Sequence, residues 1–462
     1  MLFIRGTFAH TPVRGEVELL SDHLLAVDTQ ADGRIVAVVP GSQEAACLAR
    51  HGGRPDDVLR LREGQFLLPG FIDTHLHAPQ YAYTGTGTHI PLMEWLDTLT
   101  FPTESSFKDN AELARDVYTK VIRRLLSNGT TCAQLFATVH LEPCLLLADL
   151  LEQAGMRAFL GKPCMDRHTP PGSLESTEKA VADTEALIRY VRGKGLSRLE
   201  PLVMPRFIPT CTRPLLRALG RLAAEHGVNV HSHIHEAYDE EEFAAAVEGG
   251  GQVVDEAEIF DEAGLLTSRS VFAHGNLLTD AELQRMAARG AAVAHCPLSN
   301  FYYAEKLLPV ARLLGMGVKV GLGTDVSGGY DPSMLGAQRQ AVVASWALHA
   351  HKVATAAKPA ELALRYQRQP GRDPDVLSWK DALWLATVGG AQALGIQGTV
   401  GTLEAGKEFD ALLIDGRCGA AYDVFPSVTP DPLQELEKFL CLGDDRHIAQ
   451  VWVQGKPVKS TA

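Results

Sequence analysis

Two histidines separated by one residue, His75 and His77, offer the clearest chemistry in this sequence. They follow an apolar run from Phe66 to Ile72, which predicts a buried strand. Side chains on a strand repeat with a period of two, so both imidazoles face the same side. Two imidazoles on one face at a strand end are typical of half a zinc site. The alternative is a pair of hydrogen-bonded histidines in the core.

The elements that must position these histidines alternate in type along the middle of the chain. From about residue 109, helical spacing of apolar residues alternates with short apolar runs, which predicts βαβ units and a parallel sheet. About eight such units favour an α/β fold of the TIM (β/α)8 barrel type over a doubly wound sheet. The predicted strands span residues 66–72, 131–137, 157–162, 201–207, 228–233, 271–274, 292–296 and 318–323.

The two ends of the chain differ from this middle part. Residues 1–66 and 396–462 carry short apolar runs between polar and glycine-rich turns, which is typical of small strands. Neither end buries a core alone, so we predict that they pair into one small β-sandwich domain. Residues 67–395 then form the metal-dependent catalytic barrel, with a polar loop over residues 365–374 and a last helix over residues 379–394.

Ionisable residues fall where the predicted barrel strands end. In chain order these residues are His75, His77, Arg206, His233, Glu236, His274 and Asp325. Active-site groups of a TIM barrel come from the carboxyl ends of its strands. We therefore expect these side chains to meet at one mouth of the barrel.

Three histidines and one aspartate in this set suit a single d-block cation, zinc or iron. The predicted ligands are His75, His77, His233 and Asp325. Arg206 stands where a two-metal barrel hydrolase would carry a bridging lysine, which favours one metal. His231 and His235 share the strand face of His233, and we choose His233 because Glu236 then reaches the same mouth.

The same residues predict a hydrolytic mechanism. Asp325 can accept a proton from water at the metal, and His274 can hold the attacking oxygen. Glu236 can protonate a ring nitrogen of a heterocycle. Arg206 donates but cannot accept, so it suits a carbonyl oxygen or ring nitrogen, unless it only pairs with a neighbouring acid. Gln80 both donates and accepts, which suits the edge of a heterocycle.

Composition excludes several classes of partner. The net charge of −13 argues against binding to nucleic acid or to an anionic membrane. No apolar run approaches the ~20 residues that span a bilayer, and the N-terminal residues lack the pattern of a signal peptide. Eight scattered cysteines without a CxxC pair favour reduced thiols and a cytoplasmic location.

Several stretches resemble the guanine deaminases of the amidohydrolase superfamily, and the resemblance covers essentially the whole chain. The most specific of them lie at residues 77–80, 205–207 and 439–446. His-x-His at 75–77 and Gly-Thr-Asp at 323–325 would fit many deaminases and chlorohydrolases. His235 departs from the family, which has a small residue there, and it offers an additional imidazole to metals.

The resemblance implies hydrolysis of guanine to xanthine and ammonia, with one zinc per subunit of a cytosolic homodimer. It implies the metal ligands His75, His77, His233 and Asp325. The residues it places against the purine are Gln80, Arg206, Phe207, His233, Glu236 and Asp325. The catalytic residues it implies are Glu236, His274 and Asp325.

Two other functions compete with this prediction. One is the deamination of another aminoheterocycle, or a triazine or chloro-hydrolase reaction, on the same scaffold. The other is a non-enzymatic scaffold that binds partners. The complete set of metal-binding and acidic residues argues against the second, because a scaffold has no use for them.

Overall fold

A computed structural model describes residues 1–362, 376–419, 422–425, 427–428 and 431–460. The predicted loop over residues 365–374 lies outside the described residues. The strands are β1 (Leu2–His10), β2 (Glu18–Asp28), β3 (Arg34–Pro40), β4 (Val58–Arg60), β5 (Gln65–Pro69), β6 (Phe71–His77), β7 (Thr130–Phe136), β8 (Arg157–Cys164), β9 (Leu199–Pro205), β10 (Asn229–Ile234), β11 (Ser270–His274), β12 (Ala292–His295), β13 (Lys319–Leu322), β14 (Ala411–Asp415), β15 (Ile448–Val453) and β16 (Lys456–Ser460).

Strands β6 to β13 form one parallel sheet in chain order, and the predicted TIM-type barrel is confirmed. Backbone hydrogen bonds join the residues at the ends of β6 and β13. The amide of Asp325 donates to the carbonyl of His75 at 2.9 Å, and the amide of His77 donates to Val326 at 2.8 Å. These bonds bring the first and last strands together at the seam of the barrel.

The second sheet is mixed and contains strands from both ends of the chain. Its order is β16-β15-β14-β5-β1-β2-β3, with β4 also paired to β1. The predicted pairing of the two ends into a separate small β domain is therefore confirmed. Cys47 and Leu48 of the helix Glu44–His51 pack against Phe3 and Leu24 of this sheet.

The apolar run at residues 66–72 is not one strand, as the sequence predicts, but two. The chain leaves the small sheet after β5, which pairs with β14, and enters the barrel at β6, which pairs with β7. Gly70 lies between them, and a Cβ there would lie 2.1 Å from the Oγ1 atom of Thr131. Only glycine fits this crossing between the sheets, and an apolar run alone cannot show where the chain changes sheet.

A buried ion network joins the two sheets. Arg157 of β8 donates to Asp410 at 2.7 Å and to Glu408 at 2.6 Å, and all three side chains are buried. The carbonyl of Asp410 also accepts from the amide of Gly70 at 2.9 Å. The small domain therefore contacts the barrel close to the strand that carries His75 and His77.

Most helices lie between barrel strands, as predicted, but several boundaries differ. The α-helices are Glu44–His51, Leu92–Trp95, Phe101–Ser106, Ala111–Ser127, Leu141–Ala154, Thr177–Gly193, Arg213–His226, Tyr238–Glu248, Glu256–Glu262, Asp280–Arg289, Pro297–Ser299, Val310–Gly315, Met334–Thr355, Trp379–Trp384, Gly390–Leu394 and Pro432–Leu442. The predicted helix over residues 379–394 is interrupted by the π-helical turn Leu385–Gly389. Asn110 caps the helix Ala111–Ser127, because its side-chain oxygen accepts from the amide of Leu113 at 2.9 Å.

The residues from Leu92 to Ser106 cover the mouth of the barrel, and we call them the cover segment. They form two short helices joined by the π-helical turn Leu96–Thr100. Leu92 and Trp95 pack in one cluster with Phe207 and Tyr303, which follow barrel strands. The cover segment therefore shields the residues at the strand ends from water.

Among the described residues, none of the helices combines the length and the apolar character that crossing a membrane requires.

Candidate active site

The predicted metal ligands meet at the carboxyl ends of the barrel strands. Nε2 of His75 lies 3.1 Å from Oδ1 of Asp325, and Nε2 of His77 lies 3.7 Å from the same oxygen. Nε2 of His77 also lies 3.1 Å from Nε2 of His233. All four residues are almost fully buried. Ligand atoms of His75, His233 and His274 form an overlapping group that could also hold a metal ion.

Hydrogen bonds donated by their Nδ1 atoms hold His75 and His233 in the tautomer that binds metals through Nε2. Nδ1 of His233 donates to the carbonyl of Arg206 at 2.7 Å, which leaves the lone pair on Nε2. Nδ1 of His231 donates to the carbonyl of Val271 at 2.8 Å, so its Nε2 accepts from Nδ1 of His75 at 2.8 Å. Nε2 of His75 is buried and has no hydrogen-bond partner among the described residues.

Electrostatics favour the neutral form of the same imidazoles. Burial lowers the pKa of His75, His77 and His233 well below the ordinary value, and neighbouring imidazoles and the cation of Arg206 lower it further. A neutral imidazole is the form that ligates zinc. Neutral rings, a buried His75 nitrogen without a hydrogen bond and the carboxylate of Asp325 together fit a d-block cation.

Asp73 is a site residue that the sequence analysis does not predict. Its carboxylate accepts from the amide and the hydroxyl of Thr324 at 3.0 and 2.6 Å, and from the amide of His75 at 3.2 Å. Burial raises its pKa to about 7. Asp73 therefore fixes the end of β6 against the residue that precedes Asp325. The available signal is a carboxylate that comes directly after the apolar run at residues 66–72.

His274, at the end of β11, faces two acids. Its Nε2 lies 3.4 Å from Oε1 of Glu236 and 3.9 Å from Oδ2 of Asp325. Nδ1 donates to the side-chain oxygen of Asn300 at 3.0 Å, which directs Nε2 toward the acids. The backbones of His274 and Asp325 have φ values of 69° and 49°, in the left-handed region that strained active-site residues often occupy.

The surroundings of Glu236 favour the protonated form of its carboxyl group. Burial raises the pKa of its carboxyl well above the ordinary value, and the charge of Asp325 raises it further. A carboxyl group with a raised pKa keeps its proton until a base, such as a ring nitrogen, accepts it. The position of Glu236 is fixed by its carbonyl, which accepts from Asn276 at 2.8 Å.

A pocket under the cover segment opens onto the cluster of buried histidines and Asp325. The structure brings all the predicted substrate-contacting residues to its wall, namely Gln80, Arg206, Phe207, His233, Glu236 and Asp325. The remaining wall includes the apolar side chains of Leu92, Trp95 and Leu96, and also Tyr303. An apolar wall with a few polar groups at one end suits a flat heterocycle.

Both interpretations of Arg206 apply at once. Arg206 lines the pocket, and it also pairs with Glu104, a buried acid of the cover segment that the sequence analysis does not predict. The two partners are 102 positions apart in the sequence, which explains why no local pattern reveals the pair.

His235 points away from the pocket. Its Nε2 lies 2.8 Å from Oε1 of Glu282, and its Nδ1 lies 3.4 Å from Oε1 of Glu241. Its backbone amide donates to Glu256 at 3.0 Å. The expectation that His235 offers another imidazole to a metal is therefore replaced by a role within a buried group of carboxylates.

A (β/α)8 barrel with buried histidines and an aspartate at its strand ends is the arrangement of a metal-dependent barrel enzyme. A model of the amidohydrolase family matches residues 66–458. Guanine deaminase of Rattus norvegicus is 40% identical over 461 residues, which cover 99% of this chain and 96% of that protein.

Solved structures agree with this match. Guanine deaminase from C. acetobutylicum with bound guanine has a TM-score of 0.83 and 28% identity, and the match covers 99% of both chains. An adenosine deaminase from Xanthomonas campestris with bound zinc has a TM-score of 0.79 and 26% identity, over 99% of this chain and 92% of that chain. The chain therefore belongs to the amidohydrolase family and, within it, to the family of guanine deaminases.

Proposed function

We propose that the protein hydrolyses guanine to xanthine and ammonia. The observation that carries this proposal is one pocket whose wall holds Glu236 and Arg206 beside the buried histidine and aspartate cluster. The similarity of the whole chain to guanine deaminases, one of them with guanine bound, supports guanine as the substrate.

Four residues would hold one zinc ion per subunit: His75, His77, His233 and Asp325. Iron is the alternative, because the same donor atoms suit both metals. Support for zinc comes from the neutral imidazoles and from the zinc found in a structure similar to this chain. When bound, the ion would lower the pKa of a water molecule toward neutrality and so make it a nucleophile.

The residues of this chain would then supply proton transfer and orientation. Asp325 accepts a proton from the attacking water, and His274 orients that water through Nε2. Glu236 protonates the ring nitrogen beside the carbon that carries the amine, which makes this carbon more electrophilic. Asp325 then gives its proton to the amine, which departs as ammonia when its bond to carbon breaks. The added oxygen gives its remaining proton to Glu236 and becomes the carbonyl of xanthine.

The purine would lie between the cover segment and the strand ends. Phe207 and the apolar residues of the cover segment contact its faces, while Gln80 and Arg206 bind its polar edge. A triazine hydrolase or chlorohydrolase reaction is not favoured, because the relative that matches the whole chain at 40% identity and the similar structure with bound guanine are both guanine deaminases.

We also propose a cytoplasmic location and a homodimer. The location is supported by the cysteine content of the sequence, and the dimer by the resemblance to guanine deaminases.

Purified protein supplied with guanine tests the proposed function. We expect guanine to disappear with equal amounts of xanthine and ammonia, measured by absorbance and by an ammonia assay. A chelator should abolish turnover, and added zinc should restore it. A panel of aminoheterocycles and chlorinated triazines serves as the comparison. Turnover of one of these rings without turnover of guanine would reject the proposal.

A further inference from the structure

Glu104 lies behind the pocket wall and is 2% exposed. Its Oε2 accepts from Nη1 of Arg206 at 2.7 Å, and its Oε1 accepts from Nη2 of Arg206 at 3.3 Å and from Nε2 of Gln80 at 3.0 Å. One buried carboxylate thus holds both polar side chains that bind the purine edge in the proposed function. Glu104 itself is not among the residues that line the pocket.

These bonds give the amide of Gln80 one orientation. Its nitrogen donates to Glu104, and its oxygen accepts from the amide of Ser327 at 3.2 Å. The reverse orientation would break both bonds, because a carboxylate cannot donate and a backbone N–H cannot accept. One N–H and one lone pair of Gln80 therefore remain for a ligand.

The guanidinium of Arg206 is fixed on two sides. Glu104 takes two of its five N–H donors, and the ring of Phe101, on the same helix as Glu104, lies 5.3 Å from its central carbon. The remaining N–H groups of Arg206 can form hydrogen bonds only with groups that accept them. Arg206 is 2% exposed, so a ligand without an acceptor at this place would leave a charged donor unpaired and away from water.

We propose, on the basis of the proposed function, that Glu104 is a positioning residue that sets substrate specificity. It holds Arg206 and Gln80 so that the pocket requires a heterocycle with a carbonyl oxygen beside a ring N–H. Arg206 donates to that carbonyl, and Gln80 accepts from the ring N–H. A ring with an amine or a hydrogen in place of the carbonyl is rejected, because sites built on hydrogen bonds discriminate strongly against ligands that lack the partner.

Two unreactive ligands test this role: hypoxanthine carries the carbonyl, and unsubstituted purine lacks it. Their dissociation constants are measured by calorimetry on the purified holoprotein. Wild type should bind hypoxanthine at least about tenfold more tightly, as expected for a hydrogen bond to a charged donor. In Glu104→Gln the ratio of the dissociation constant of purine to that of hypoxanthine should fall toward one. KM for guanine should rise about tenfold, with kcat changed less than about threefold, because the proton-transfer residues are untouched.

Glu175→Gln is the matched control. Glu175 is also a buried carboxylate paired with a buried cation, Lys162, and neither residue lines the pocket. This variant should keep the wild-type ratio of dissociation constants and the wild-type KM for guanine, even if the protein is less stable. A fall in the ratio of similar size in Glu175→Gln would show a general structural effect and overturn the proposal.

A second pair of variants keeps the test available if Glu104→Gln does not fold. Arg206→Met and the double variant Glu104→Gln/Arg206→Met should have the same ratio of dissociation constants, because Glu104 acts on the carbonyl through Arg206. The double variant leaves neither partner of the pair as an unpaired buried charge, and the new amide can still accept from Gln80. A further change of the ratio in the double variant would overturn the proposal.

The outcomes separate this inference from the proposed function. A wild-type protein that deaminates guanine, together with a Glu104→Gln variant that keeps the wild-type ratio and KM, would refute the role of Glu104 alone. A wild-type protein that does not deaminate guanine would refute the proposed function, on which the role of Glu104 rests.

Discussion

Replacing Glu236 with glutamine should lower kcat for guanine by about 10²–10⁴-fold, the range over which a positioned acid or base contributes. Glutamine keeps the size and polarity of the side chain but has no acid proton to give to the ring nitrogen. KM should change much less, because the new amide can still form a hydrogen bond to that nitrogen. Steady-state production of xanthine at saturating guanine measures the effect.

The environment of Glu236 is the physical reason for an effect of this size. Burial raises its pKa, and the negative charge of Asp325 raises it further. This raised pKa favours the protonated carboxyl group, which is the acid that the proposed reaction needs. Nε2 of His274 lies 3.4 Å from Oε1 of Glu236, so both side chains face the same space.

The Glu175→Gln variant is also the control for this experiment, because it changes a buried carboxylate outside the pocket in the same way. It should retain wild-type kcat. A Glu236→Gln variant that keeps more than about a third of wild-type kcat would show that another group supplies the proton, since acid catalysis normally contributes far more.

Replacing Asp325 with alanine should remove both the metal and the activity. Asp325 contributes the carboxylate of the proposed ligand set and also accepts the proton of water. A metal ion contributes several kcal/mol to the stabilisation of the transition state, so kcat/KM should fall by at least about 10³-fold. Metal per subunit, measured by mass spectrometry after gel filtration, should fall from about one toward zero, because a ligand is lost.

Asp331→Asn provides the comparison for Asp325, because it removes a carboxylate a few residues further along the chain. Asp331 accepts from the amide of Ser333 at 3.0 Å and does not line the pocket. This variant should keep its metal and its activity. An Asp325→Ala protein with full metal content and wild-type turnover would show that both roles assigned to Asp325 are wrong.

The barrel is predictable from the sequence because its signals are local. Each strand is an apolar run beside a helix of apolar periodicity, and the chain order of β6 to β13 is also their order in the sheet. The carboxyl ends of parallel strands share one edge, so residues such as His75, His274 and Asp325 could be placed together before any coordinates.

Other features depend on contacts that no local pattern carries. The break at Gly70 follows from the approach of Thr131 in a different strand. Glu104 lies in a segment without clear periodicity, and its role depends on Arg206, which is distant in sequence. The sequence shows Asp73 only as a single acid after an apolar run, and its role depends on its hydrogen bonds to Thr324.

X-ray diffraction at the zinc absorption edge, on crystals of the holoprotein soaked with hypoxanthine, tests the central claim most directly. We predict one anomalous peak per subunit, about 2.0–2.2 Å from His75, His77, His233 and Asp325, as for zinc bound to nitrogen and oxygen. The ligand should lie in the adjacent pocket with its carbonyl oxygen toward Arg206. A peak at another position, such as beside His235, or a ligand bound outside this pocket would contradict the account.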